Sequence, residues 1–325
     1  MMPNHRSLVL KPAVAASALF ALFVAAGSAS ASGFYRFQHG GRATGQVGAF
    51  TARADDPGAV FYNPAAITRL PGLQLLAGLD FNNATDDYDS QTAGTVGAAH
   101  RIEFPPAIYL TWNDDRLGPW SLGLGLDTPT WYSVDWDSVF FAPRNLARKV
   151  ELNLFELHPV VAYAIDDHWS VGGGVRYLAG SFKQGVNSLP NTFDLDGMPF
   201  TTEVLLDASS DVDGFGFDAG VHYTTAVWGW GAVYRSAVTV DGGGDLRRSA
   251  RDLPADPAAA QALLAQLPGS SLSQSVDLPA ELRGGVWIAP YPELRLELDL
   301  AYQAWGDFQQ SFSGLAVLGA PVAVV

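Results

Sequence analysis

The segment DGFGFDAGVHYTTAVWGWGAVYRSAVTV, residues 213–240, decides how this chain must fold. Its first eleven residues set Phe215, Phe217, Ala219, Val221 and Tyr223 against Gly214, Gly216, Asp218, Gly220 and His222. Successive side chains on a strand point to opposite faces, so one face is apolar and the other is wet. After a short link at 224–226 the alternation resumes, with Trp228, Trp230, Ala232, Tyr234, Val238 and Val240 opposing Gly229, Gly231, Arg235, Thr239 and Asp241. The segment therefore reads as two antiparallel strands joined by a tight turn.

The same period recurs at both ends of the chain. Leu73, Leu75, Ala77, Leu79 and Phe81 alternate with Gln74, Gly78, Asp80 and Asn82, and Leu294, Leu296, Leu298, Leu300 and Tyr302 with Arg295, Glu297, Asp299 and Gln303. A soluble sandwich and a membrane barrel both alternate in this way. Two features favour the barrel. Trp112, Trp120, Trp169, Trp228, Trp230 and Tyr302 fall near strand ends, where a barrel carries its interfacial girdles. The expected strands are 73–82, 104–112, 119–127, 150–165, 168–180, 211–223, 227–241, 276–288 and 293–304. Long links at 83–103, 128–149, 181–210 and 242–275 alternate with short ones, the rhythm of external loops and periplasmic turns.

Composition narrows the function. The formal net charge of −14 opposes nucleic-acid binding, which needs a basic footprint. With no cysteine, a disulfide framework, a thiol nucleophile and a Cys-based metal site are all excluded. No cofactor or metal is implied, and acidic residues such as Asp86, Asp87, Asp89, Asp135, Asp137 and Asp252 read as loop solvation. At the start of the chain, His5, Arg6 and Lys11 precede a mostly apolar run at 13–26 and Ala29-Ser30-Ala31. That is the pattern of a signal peptide spanning 1–31, and the run is shorter than the ~20 residues a spanning helix needs.

Between the leader and the first strand lies ADDPGAVFYNPAAIT, residues 54–68, in a region (32–72) for which a plain barrel has no use. It reads as a plug. Pro64 biases Asn63 away from helix, leaving the Asn63 amide to satisfy neighbouring backbone groups. Arg42, Arg53 and Arg69 are expected to seat the plug on lumen carboxylates. The barrel would occupy 73–325 and, with nine strands, would be incomplete at the C-terminus, since single-chain bacterial barrels have an even strand number.

The start SGF (32–34), ADDPGAVFYNPAAIT, the block 213–246 and LPAELRGGVWIAPYPELRLELDLAYQAWGDF (278–308) together resemble the long-chain fatty-acid outer-membrane transporter (FadL/TodX) family. The resemblance implies an all-β, transmembrane antiparallel β-barrel of 14 strands, of which nine are present, with an N-terminal hatch in the lumen. It also implies a monomeric protein of the bacterial outer membrane, surrounded by outer-membrane lipid, that passes hydrophobic small molecules such as fatty acids or aromatic hydrocarbons. Asn63, Pro64 and Ala65 match the hatch motif, and Phe34 is expected near the ligand. The third strand of the family carries an inward kink that opens the wall. Here Gly123, Gly125 and Pro129 are the residues that could permit one, although Pro129 could equally begin a loop.

Two further groups are ligand candidates. Asp256-Pro257 followed by AAAQALLAQL (258–267) reads as a capped helix whose Leu263, Leu264 and Leu267 form either an external capture patch or a self-packed stripe. Arg176, Arg235 and Arg283 are lumen-side cations able to meet a carboxylate or to serve structural ion pairs. His39, His100, His158, His168 and His222 have no companion motif such as G-x-S-x-G or H-E-x-x-H, which disfavours a lipid hydrolase.

Overall fold

The computed structural model describes residues 36, 39–90, 94–136, 148–187, 191–195, 197–266 and 271–305, and the backbone of 310–313, 316–317 and 320–321. The signal-peptide segment, Phe34 and Leu267 lie outside the described residues. Twelve strands form one antiparallel sheet: β1 (Gly72–Leu79), β2 (Pro106–Asn113), β3 (Trp120–Asp135), β4 (Lys149–Ala164), β5 (Trp169–Asn187), β6 (Val204–Thr224), β7 (Trp228–Arg235), β8 (Val238–Ala250), β9 (Ser271–Leu278), β10 (Glu281–Tyr291), β11 (Leu294–Gln303) and β12 (Gln310–Ser313). Neighbours in sequence are neighbours in space. β7 and β8 share one position beside β6, and β9 and β10 share the next, so each expected strand has its counterpart. Among the described residues no helix is long and apolar enough to cross a membrane.

The apolar face points outward. Leu73 is 70% exposed, Phe215 66% and Leu300 61%, while Asp218, His222 and Arg235 on the opposite face are buried. A soluble domain does not display such a contiguous band. At its lower edge Trp120 packs on Tyr163 and Trp169 on Tyr223, with ring centroids 4.8 and 4.9 Å apart, forming an aromatic girdle beside the short turns.

β6 is 21 residues long, about twice what a tilted strand needs to cross a bilayer. Its upper half reverses polarity. Glu151, Asn153, Lys183, Asp211 and Asp213 point outward there, while Leu152, Leu154, Leu178, Phe182 and Val212 are buried inside. The outward face becomes apolar at Phe155, Tyr177 and Phe215. From Phe155 to Tyr163 is eight residues, or roughly 20 Å of height at the usual rise and tilt, matching an outer-membrane apolar band.

One expectation about faces fails at the join of β7 and β8. Val238 and Val240 are buried with the inner cluster, whereas Thr239 and Asp241 are exposed. The cause is a bulge. β6 pairs Asp218 with Arg235 but Asp213 with Asp241, so one strand carries an extra residue and its faces exchange. The neighbouring pair breaks at Pro279 and Ala280, between Leu278 and Glu281, and exchanges faces at the same level. Both breaks lie where polarity reverses, which keeps apolar side chains inside above that level.

Candidate functional site

Residues 39–71 pack against the inner faces of the wall. Helix α1 (Gly41–Thr44), helix α2 (Ala59–Tyr62) and a 3₁₀ turn at Pro64–Arg69 put Phe50, Val60, Phe61, Tyr62 and Ile67 into a buried cluster with Tyr109, Val160 and Ala162 from the strands. Asn63 ends α2 in an extended conformation, as Pro64 requires, and its Oδ1 accepts from Ala65 N at 3.2 Å. Its Nδ2 donates to Thr51 O and to Val221 O on β6, both at 3.1 Å. One amide thus caps the 3₁₀ turn, ties two parts of the plug together and fastens both to the wall.

The wall makes room for this contact. A Cβ at Gly231 would come within 2.6 Å of Asn63 Nδ2, and one at Gly172 within 2.8 Å of Ala65 N. Around them Ser170 Oγ donates to Ala65 O at 2.8 Å, and His222 Nε2 donates to Ala52 O at 2.9 Å. The expected arginine seats are replaced by a different device. Arg42 and Arg53 pair with Asp55 inside the plug, and Arg69 donates to the backbone oxygen of Asp166. The lumen carboxylates instead take backbone amides, Asp299 Oδ2 accepting from Phe50 N and Thr51 N and Glu297 Oε1 from Ala52 N and Arg53 N, all at 2.8–3.0 Å. Consecutive amides in a turn form a partial positive charge that suits a carboxylate as well as a guanidinium would.

Above the plug lies a buried ionic cluster. Arg176 grips both carboxylate oxygens of Glu156, at 2.7–3.1 Å, and Arg235 donates to Glu156 Oε1 at 2.6 Å. His158 Nε2 sits 3.1 Å from Asp218, Tyr109 donates to Asp127 at 3.0 Å, and Arg283 pairs with Glu281 at 2.8 Å. The Arg235 guanidinium also lies 4.3 Å from the Phe61 ring centre. The three lumen arginines proposed from sequence as ligand cations are therefore brought together, but each is held by a carboxylate. In the plug, burial and then the nearby Arg36 and Arg235 charges pull the His39 imidazole down to about 3. Burial likewise pushes the Tyr62 phenol up to about 12, and Tyr62 Oη accepts from His39 N at 2.9 Å.

The outer lumen is apolar. Helix α3 (Pro257–Ala265) is capped by Asp256, whose carboxylate accepts from Ala258 N and Ala259 N, and it lays Leu263 fully buried among Phe193, Leu195, Leu206, Leu246 and Leu272. Leu264 is half-buried against the same cluster. Leu263 and Leu264 are therefore packed within the protein rather than forming an exposed capture patch. A helix only nine residues long gains its stability from such burial, and the hairpin Asn191–Leu195 with Met198–Thr202 supplies the partner.

The wall itself is irregular on β3. Pairing to β4 shifts by one residue between Asp127 and Thr130, at Thr128 and Pro129, and pairing to β2 stops at Leu126. Arg36 fills the place, its backbone N–H donating to Pro129 O at 2.8 Å and its guanidinium to Thr128 Oγ1 at 2.9 Å and to Asp80. Gly123 and Gly125 do not kink. Both stay in regular register with Thr111 and Tyr109, and they clear space for the plug, since a Cβ at Gly123 would come within 2.9 Å of Val60. Sequence reasoning missed Arg36, Glu297 and Asp299. For Glu297 and Asp299 the available signal was their place on the polar face of the last strand.

A family model, outer membrane protein transport protein (OMPP1/FadL/TodX), matches residues 22–318. A long-chain fatty acid transport protein of Escherichia coli O6:H1 (strain CFT073) is 24% identical over 302 residues, covering 83% of this chain and 64% of that protein. The chain thus spans just under two thirds of the length of that curated relative. Among solved structures, a Pseudomonas aeruginosa FadL homologue superposes with a TM-score of 0.66 at 21% identity over 87% of this chain and 73% of that one. The P. putida toluene transporter TodX does so with a TM-score of 0.58 at 16% identity over 82% and 72%. An outward apolar band, an N-terminal segment packed on the inner face and a match over most of the sequence agree: the chain belongs to the OMPP1/FadL/TodX family of outer-membrane β-barrel transport proteins, not to an enzyme family.

Proposed function

We propose that this protein is a passive outer-membrane transporter of hydrophobic molecules, with residues 32–72 acting as its hatch and residues 1–31 as its export signal. The observation that carries this reading is the reversed polarity of the upper wall, where apolar side chains line the lumen above a plugged interior. A lipid tail resists water at about 0.8 kcal/mol per methylene, so apolar lining recruits it without an energy source. Release is sideways, through the β3 irregularity at Thr128 and Pro129, once the segment holding Arg36 withdraws. Phe34, two residues before Arg36, is then a ligand contact, and Asn63, Pro64 and Ala65 hold the hatch in its resting position. The protein works as a monomer among outer-membrane lipids.

Long-chain fatty acids are the leading substrates, because the curated relative carries them. A second reading, uptake of an uncharged aromatic hydrocarbon, is favoured by the pairing of Arg176, Arg235 and Arg283 with carboxylates, which leaves a ligand carboxylate to compete with Glu156 and Glu281. Native mass spectrometry of the purified protein with a long-chain fatty acid and with toluene tests both. Retention of either supports a transporter, and the tighter one names the substrate class. Retention of neither, in protein shown to be folded, overturns the proposal.

A further inference from the structure

We infer that the outward face of the wall, above the apolar band, carries a docking groove for the phosphorylated sugar headgroup of an outer-leaflet lipid. The groove spans four strands and encloses 340 Å³ around Lys149, Lys183, Asp207, Ser209, Asp245 and Arg247. Register places these side chains in two rows. Asp207 faces both Gly185 and Arg247, and Gly185 faces Lys149; beneath them Ser209 faces both Lys183 and Asp245, and Lys183 faces Glu151. Gly185 leaves a notch within the upper row. A Cβ there would come within 2.7 Å of the Arg148 guanidinium, which reaches across it to Asp207.

Charge and depth select the occupant. In a chain of net charge −14 this groove is lined by three cations, Lys149, Lys183 and Arg247, against Asp207 and Asp245, and Asp207 is already paired with the buried Arg148. Lys149 and Lys183 share one carboxylate, Glu151, at 3.5 and 2.9 Å, so the pair keeps donors and charge for an anion. Arg247 is exposed at the far side of the groove, opposite Asp207. Ser209 and Asp245 add hydrogen-bonding groups suited to sugar hydroxyls. The lower row stands four residues above Phe155, roughly 10 Å above the apolar band after allowing for strand tilt. That is the depth of a sugar headgroup, with its acyl chains lying on Phe155, Leu157, Tyr177 and Phe215. Asp211, Asp213 and Asp241, exposed at the band's edge, repel phosphate from the rows between and steer it up into the groove.

The test is native mass spectrometry of the purified full chain with rough lipopolysaccharide, with its enzymatically dephosphorylated form and with inorganic phosphate. The wild type should retain the phosphorylated lipid at least tenfold more tightly than the dephosphorylated form. Lys183→Gln with Arg247→Gln should abolish that preference while leaving heat-modifiable folding and retention of lumen ligands unchanged, since both side chains face away from the lumen. Equal binding of the dephosphorylated lipid, an unchanged preference in the double variant, or displacement by millimolar inorganic phosphate would each overturn the assignment. A double variant that fails to fold is replaced by Lys183→Arg with Arg247→Lys, which keeps the charge and must keep the preference.

Discussion

At Asn63 a single side chain makes three hydrogen bonds to backbone groups in three different segments. Asn63→Ala removes its contacts to Thr51 O, Val221 O and Ala65 N, at a cost of roughly 2–3 kcal/mol in hatch docking. Faster exchange of the Ala65 amide hydrogen in a folded barrel, with altered uptake, is the expected result. His39 makes the hatch sensitive to acid. Its folded pKa of about 3 lies below the unfolded 6.5, so the folded form binds fewer protons in that interval. Stability from this residue is complete above about pH 6.5 and falls as pH drops toward 3, amounting to roughly 2 kcal/mol by pH 5. Hydrogen exchange of the 39–71 amides should accelerate over that range, and His39→Gln should flatten the response. The turn role of Asn63 was legible from its place before Pro64. The amide seats on Glu297 and Asp299 were not, because their partners lie about 245 residues away and backbone amides leave no mark in sequence.

Strands were legible as elements because period-two alternation is a local property, and β6, β10 and β11 form where the pattern predicts. Their faces are a separate matter. The bulge between Arg235 and Val238 is invisible to alternation, which continues through Val238 and Val240 as though no residue had been added. Inserting one further alanine after Ala237 changes the spacing from Arg235 by an odd number and turns Val238 and Val240 outward into the headgroup region while pulling Thr239 and Asp241 inward. We expect loss of the heat-modifiable folded band on semi-native electrophoresis, whereas Ala237→Ser should leave it intact. Helix α3 teaches a similar lesson. Its cap and length follow from Asp256 and Pro257, but whether Leu263 meets solvent or a partner depended on a hairpin sixty residues earlier.

Taken whole, the molecule is a wall whose apolar face points outward and whose inner face is packed by residues of its own N-terminal part. Such a lumen should conduct almost no ions in a planar bilayer. Glu297→Gln with Asp299→Asn exchanges four charge-assisted amide contacts for neutral ones and should raise conductance severalfold without loss of folding. Unchanged conductance in the folded variant would show that the plug does not rest on these seats. Among the described residues the outer edges of β1 and β11 carry no partner strand. The sequence by itself determined the all-β class, the order of strands and the placement of long and short links, because each depends on residues near one another in the chain. Only the tertiary structure decided which carboxylates hold the plug, that the lumen arginines are already paired, and where the wall breaks. Those depend on register and on contacts between distant strands, and a one-residue bulge is enough to exchange the inside of the protein for its outside.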